Sequence, residues 1–291
     1  MPAAPHGTLP SLVTPFTAAG DVDTASLERL ARHVLDLGAD GLVALGTTGE
    51  AALLTEAERR TVLDVVRGVA SGAGVPLVVG AGAMGTAATV AEARERAPLA
   101  DALLVVVPYY LRPSDEAVLD HFRDVAAAVD VPLVPYNVPY RTAKELRVET
   151  LLELLDLDGV ATMKHCPGAL DHATLRLLAE TRTPVLCGDD ALAYPMARLG
   201  AAGAISTTAL LAPAPRTLPE HNALLPLADA LFAEPSPAVV KACLARLGVI
   251  GDPGVRTPLR APRPESVRRA LDAYSALDAA SAAARAACGS A

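Results

Sequence analysis

The sequence predicts a closed (β/α)8 barrel, a TIM barrel, followed by a helical C-terminal extension, on three observations. Eight short apolar runs recur between residues 8 and 207. Segments of helical spacing separate them, and the helix-to-strand junctions repeat in similar wording. A length of 291 residues suits one such barrel with an appendage. The structural alternative is a doubly wound open sheet, which usually has fewer strands, and no Gly-x-Gly-x-x-Gly fingerprint follows the first run.

In chain order the runs are residues 8–13, 41–45, 76–80, 102–107, 132–137, 160–165, 184–188 and 203–207. They are too short and too continuously apolar for one-sided surface strands and fit parallel strands buried on both faces. Between them, Leu27, Leu30, Val34 and Leu37 form one apolar stripe, and Val62, Val65, Val66 and Val69 form another. Thr55 and Glu58 have capping-box spacing, and Ser114 with Asp115 and Glu116 places a cap and negative charge at a first helical turn. The junctions Leu37-Gly38-Ala39-Asp40-Gly41, Leu99-Ala100-Asp101-Ala102, Leu157-Asp158-Gly159 and Leu199-Gly200-Ala201-Ala202-Gly203 read as tight returns into a sheet. Beyond residue 222 no strand signal follows. Residues 224–247 and 265–287 read as helices, dividing the chain into a catalytic barrel, 1–222, and an extension, 223–291, whose alanine-rich end is expected to fray.

Composition narrows the function. The chain is 52% hydrophobic and 20% charged, with both signs interspersed, so it buries a large core. A net charge of -8 and a pI of 5.3 argue against nucleic acid, which draws on clustered Lys and Arg. Residues 1–10 lack a basic start and a long apolar stretch, and runs such as 103–107 are short and closed by proline. Neither a secretory signal nor a membrane span is expected, which places the protein in the cytoplasm. Cys166, Cys187, Cys243 and Cys288 are scattered without Cys-x-x-Cys or His-x-x-x-His spacing, so no metal, disulfide or cofactor is expected.

A barrel of this kind builds its active site at the C-terminal ends of its strands. The second run ends in Gly46-Thr47-Thr48-Gly49-Glu50, either an ordinary turn or a loop whose backbone N–H groups approach an anion. The fourth ends in Pro108-Tyr109-Tyr110 and the fifth in Tyr136-Asn137-Val138-Pro139-Tyr140-Arg141-Thr142. Of the six tyrosines, those at 109, 110, 136, 140 and 194 stand at or just after run ends, either as packing residues or as hydroxyls that relay protons. The sixth run carries Lys164 among apolar neighbours. It is either a strand-end lysine reaching solvent or a desolvated amine able to attack a carbonyl.

Period-two geometry adds a consequence. If Lys164 faces the barrel interior, Met163 and His165 face the helices and Cys166 returns toward the mouth. His165 is then a packed or hydrogen-bonded residue, and Cys166, lacking an adjacent base, a poor nucleophile. Adjacent Asp189 and Asp190 suggest a divalent metal or, preferably, a cap for the following helix. Ser206 and Thr207 are pocket wall or cap.

Taken together, these pieces resemble the dihydrodipicolinate synthase and N-acetylneuraminate lyase superfamily over almost the whole chain. Thr14-Pro15-Phe16, Gly46-Thr47-Thr48-Gly49-Glu50, Pro108-Tyr109-Tyr110, Tyr136-Asn137-Val138-Pro139, Lys164, Gly188-Asp189-Asp190 and Glu234-Pro235-Ser236-Pro237 before Lys241 match in order and spacing. The resemblance implies a class I aldolase-like mechanism in which Lys164 forms an imine with pyruvate. Tyr136 would donate and accept protons, with Thr47 and Tyr110 completing a hydroxyl relay. Thr48, Gly188 and Ile205 would line the pyruvate site. The family equivalent of Tyr110 enters the neighbouring subunit's site, which implies a homo-oligomer, a dimer or tetramer.

Arg141-Thr142 resembles the synthase branch, where the arginine binds the carboxylate of aspartate semialdehyde; a planar guanidinium makes two parallel bonds to such a group. Departures from that branch are Ala143 for a glycine, His165 for an acidic residue, Cys166-Pro167 for small polar residues and Leu111 for a polar one. The competing readings are cleavage or dehydration of a longer 2-keto acid, and a binding protein on a retired barrel. In lysine-inhibited members an asparagine follows the Gly-x-Gly-Ala turn and a glutamate stands shortly after. Here Met84 and Thr86-Ala87-Ala88 occupy those places, so weak inhibition by lysine is expected.

Overall fold

The computed structural model describes residues 4–288, the side chains of residues 280–288 excepted. The expected fraying of the tail and the thiol of Cys288 lie outside the described residues.

Eight parallel strands form one sheet: β1 (Gly7–Pro10), β2 (Leu42–Ala44), β3 (Leu77–Gly80), β4 (Ala102–Val106), β5 (Leu133–Asn137), β6 (Met163–His165), β7 (Val185–Cys187) and β8 (Gly203–Ser206). Each pairs with its sequence neighbour, β1 pairs with β8, and a parallel bridge between Ser11 and Val43 closes the barrel between β1 and β2. The expected runs contain the strands except that β1 begins one residue earlier, at Gly7, and they overrun some of them. Residues 11–13 lie past β1, and Val160 makes only an isolated bridge to Leu133 before β6 begins.

Alternation along each strand sorts side chains into two cores. Leu9, Val43, Val78, Leu104, Val134, Tyr136, Cys166, Leu186 and Ile205 fill the barrel, whereas Leu42, Leu77, Leu103, Leu133, Met163 and Val185 face the helices. Most of the anticipated stripes are buried there: Leu27, Leu30 and Val34 on helix Thr24–Asp36, and Val62, Val66 and Val69 on helix Glu56–Ala73, whereas Leu37, which caps the first helix, and Val65 are half-buried. Thr55 and Glu58 form the reciprocal capping box, and Ser114 Oγ accepts from the Ala117 N–H.

The repeated junctions have a physical reason. Gly38 and Gly200 adopt φ values of 90° and 106°, a region side-chain-bearing residues rarely enter. The junction aspartates then reach back to the preceding strand: Asp40, just before β2, accepts through Oδ2 from Thr8 N of β1 at 2.6 Å, and Asp101, just before β4, from Leu77 N of β3 at 2.8 Å. Each satisfies a backbone donor at the N-terminal end of the barrel.

After the barrel come helices Leu218–Leu231, Ala238–Arg246 and Pro264–Cys288, the last packed against the first. The expected single helix over 224–247 is therefore two. Pro235 and Pro237 lie in the interruption, where their missing N–H groups and fixed φ prevent continuation. The second of these helices is pinned to the barrel by a buried ion pair, Lys241 Nζ to Glu50 Oε1 at 2.8 Å, both side chains fully enclosed. Glu50 Oε2 accepts from Arg256 N at 2.8 Å, and the Phe16 ring lies 4.1 Å from Lys241 Nζ and 4.5 Å from the Arg256 guanidinium. This pair orients the loop after β2; isolated partners would leave an uncompensated buried charge.

Candidate active site

The C-terminal mouth of the barrel opens into a cleft of about 610 Å³. Thr47, Tyr109, Tyr136 and Arg141 line it, with Gly80 to Ala83 on one side and Ser236, Pro258 and Leu259 from the C-terminal extension on another.

Lys164 and Tyr136 are register partners on β6 and β5, so both face the barrel interior. Lys164 is only 7% exposed, and its Nζ lies 4.3 Å from the centroid of the Tyr136 ring. Lys164 is not among the cleft's lining residues, whereas Tyr136 is. Burial pushes its hydroxyl well above the ordinary tyrosine range, so it remains a protonated donor at neutral pH. Of the two readings of Lys164, the geometry gives the enclosed amine.

Gly188 makes room for it. A Cβ at that position would lie 2.0 Å from Cys166 Sγ and 2.6 Å from Lys164 Cε. Cys166 shares the interior with Lys164, as alternation requires, and burial pushes its thiol up to about 12, which leaves it protonated and inert. His165 faces the helices: Asn137 Nδ2 and the Nδ1 of His165 are 3.1 Å apart, and its Nε2 is 3.2 Å from Thr174 Oγ1. Burial pushes its pKa down to about 4, so the ring is neutral and structural.

Thr47 and Thr48 open a short 3-10 turn, Thr47–Gly49, whose first N–H groups have no acceptor within the turn. Thr14 Oγ donates to Gly49 O at 2.6 Å and anchors that turn. Thr47 faces the cleft and Thr48 is buried beside it. Ile205 lies inside the barrel, opposite Leu9 on β1. Tyr110 does not join this group within its own chain: it is 80% exposed, at φ 67°, beside exposed Tyr109 and Leu111. Arg141 stands at the rim, its guanidinium 5.9 Å from the Tyr140 ring.

The two aspartates correct the expectation that one caps the helix after β7, because neither does. Asp190 Oδ1 instead accepts from Ser206 Oγ at 2.6 Å and from the N–H groups of Thr207 and Thr208 at 2.9 and 2.5 Å, tying β7 to the turn after β8. Ser206 Oγ accepts in turn from Ala209 N at 3.2 Å, within the same buried network. Asp189 accepts from Tyr140 and from the Gly168 N–H. Sequence reasoning missed both of these ties and the Glu50–Lys241 pair. The residues were visible, but partners 16 to 191 positions apart leave no local signal.

Fold and site together define a (β/α)8 barrel enzyme that encloses a lysine amine and a tyrosine side by side within its C-terminal mouth. The chain belongs to the dihydrodipicolinate synthetase family, whose model matches residues 4–274. It is 40% identical over 281 residues to a 4-hydroxy-tetrahydrodipicolinate synthase of Synechococcus sp. (strain WH7803), covering 90% of this chain and 92% of that one. Among solved structures it resembles the chloride-inhibited dihydrodipicolinate synthase of Acinetobacter baumannii complexed with pyruvate, with a TM-score of 0.87, 32% identity and coverage of 94% and 99%. A dihydrodipicolinate synthase of Cyanidioschyzon merolae with lysine bound gives a TM-score of 0.87 at 29% identity, covering 94% of this chain and 98% of that one.

Proposed function

We propose that this enzyme condenses pyruvate with aspartate semialdehyde, acting as a 4-hydroxy-tetrahydrodipicolinate synthase. The observation that carries the proposal is the enclosed Lys164 amine against the ring of Tyr136, a residue that lines the cleft together with Arg141. Lys164 attacks the pyruvate C2 carbonyl and water leaves, giving the imine. Loss of a proton from the pyruvate methyl group gives an enamine, whose carbon attacks the aldehyde. Tyr136 moves the protons. The Thr47 and Thr48 N–H groups hold the pyruvate carboxylate, Gly188 and Ile205 shape the space around it, and Arg141 holds the acceptor's own carboxylate.

Tyr110 completes the relay in the site of a second subunit, and the exposed Tyr109, Tyr110 and Leu111 form the surface through which the chain assembles as a dimer or tetramer. Residues 1–222 form the catalytic barrel, and residues 223–291 form the extension that braces it through Lys241 and adds Ser236, Pro258 and Leu259 to the cleft wall. Among the described residues no helix is long and apolar enough to cross a membrane. A biosynthetic enzyme of small acids works in the cytoplasm, where its substrates are made. The test is direct: purified enzyme with pyruvate and aspartate semialdehyde should consume both, and an enzyme that binds pyruvate but leaves the semialdehyde untouched overturns the assignment.

A further inference from the structure

Tyr140 stands in the single turn Pro139–Thr142 that follows β5. Its hydroxyl donates to Asp189 Oδ1 at 3.3 Å, across the mouth, in the loop after β7. The other oxygen of that carboxylate, Oδ2, accepts from Gly168 N at 2.8 Å, in the loop after β6. The Tyr140 ring lies over Gly168, where even an added Cβ would come within 3.6 Å of Cδ1. Three loops are thus joined through one ring and one carboxylate.

The shape of the cleft agrees with this closure. Its lining comes from the loops after β2, β3, β4 and β5 and from the C-terminal extension, and includes nothing from the loops after β6, β7 or β8. Burial pushes the Asp189 carboxyl above the ordinary range, as befits a group shielded from bulk water. A carboxylate at a substrate entrance is a natural acceptor for hydroxyl groups. Here each of its oxygens is already engaged by the protein.

We propose that Tyr140 determines the length of the acceptor: with Asp189 and Gly168 it straps the β6–β7 side of the mouth shut and masks the carboxylate that a polyhydroxylated aldehyde would use. Short acceptors enter from the open side, where Arg141 stands next in the chain. This inference rests on the reading of the site as a pyruvate-imine centre and adds to it the size class of the second substrate. A longer, hydroxyl-bearing aldehyde must displace the ring and break the Asp189 contact to bind.

The experiment compares wild-type enzyme with Tyr140→Ala and Tyr140→Phe, each supplied with pyruvate and one of three aldehydes: aspartate semialdehyde, glyceraldehyde or the five-carbon aldose arabinose. Formation of the 2-keto acid products is followed by mass spectrometry. In Tyr140→Ala the kcat/KM for arabinose relative to glyceraldehyde should rise roughly 10- to 100-fold, the range over which pocket size discriminates. Tyr140→Phe keeps the ring and frees Asp189, so it should rise less. Melting curves and borohydride trapping of pyruvate report on the fold and imine centre of each variant; the half-exposed position of Tyr140 makes both substitutions tolerable. An unchanged ratio in Tyr140→Ala, or no turnover of arabinose by a variant that folds and traps pyruvate, overturns the strap. Should Tyr140→Ala fail to fold, an unchanged ratio in Tyr140→Phe overturns it instead. Failure of the synthase assignment reads separately, as wild-type enzyme that does not consume the semialdehyde.

Discussion

Lys164 on β6 and Tyr136 on β5 face each other in register inside the barrel, with the lysine Nζ 4.3 Å from the tyrosine ring centroid. Parallel register partners on adjacent strands share a face, so the pairing follows from the sheet itself and not from a loop. Groups held this way have little freedom to drift, which suits chemistry that must pass a proton between a bound imine and a hydroxyl.

Gly188→Ala tests the space around that amine. The added methyl would overlap Cys166 Sγ and Lys164 Cε, so the lysine must leave its position or the barrel must spread. Overpacking of this kind costs about 1–3 kcal/mol of stability. The variant should melt earlier and trap pyruvate at least about tenfold more slowly, since a displaced amine loses its attack geometry. Trapping at the wild-type rate would place the pyruvate site elsewhere.

Arg141→Ala should separate the two substrates. Loss of a charge-assisted, bidentate contact costs on the order of 2 to 4 kcal/mol in transition-state binding, or roughly 30- to 1000-fold in kcat/KM for the semialdehyde. Pyruvate trapping at Lys164 should change little, because the two carboxylates bind to different groups. Unchanged condensation would make Arg141 a surface residue.

His165 gives a pH dependence of known sign. Its folded pKa, about 4, lies below the ordinary 6.5, so between these values the unfolded chain binds more protons than the folded one. Stability contributed by the neutral ring is complete above pH 6.5 and is lost as pH falls toward 4, on the order of 3 kcal/mol in all. His121 and His221 are also shifted down by burial, so the informative quantity is the difference from His165→Gln. Melting temperatures of the two proteins should converge between pH 6.5 and 4; parallel curves would mean that the ring is not held neutral.

How far the sequence carries depends on the range of the interaction. The strands, the caps at Thr55 and Ser114 and the inward turn of Lys164 and Cys166 follow from alternation and spacing within a few residues. The strap through Tyr140, the role of Asp190 and the Glu50–Lys241 pair depend on which strand ends the barrel brings together, and no local pattern encodes that. Asp190 is instructive: an aspartate at a strand-to-helix junction ordinarily caps its own helix, yet here the N–H groups of Thr207 and Thr208 on the neighbouring strand's turn reach it instead. The break at Pro235 and Pro237 was missed, because a proline alone does not mark a helix end: Pro226 stands inside helix Leu218–Leu231, whereas two prolines within three residues separate that helix from the next. Tyr110 is legible only as a motif residue, since its own chain leaves it 80% exposed.

Free lysine should inhibit weakly. By the family resemblance, Met84 and Thr86-Ala87-Ala88 stand where inhibited members carry an asparagine and a glutamate, and none of them offers a carboxylate to an ammonium group. Half-maximal inhibition at micromolar lysine in the condensation assay would contradict this; an effect confined to millimolar concentrations is expected.

The central claim is that Lys164 forms the imine. Enzyme saturated with pyruvate and reduced with borohydride should gain one reduced pyruvate adduct per chain, and peptide mass mapping should place it on Lys164 in wild-type enzyme and find none in Lys164→Ala. A folded, pyruvate-saturated enzyme whose Lys164 peptide is unmodified, or whose adduct maps to another lysine such as Lys144 or Lys241, would contradict the account.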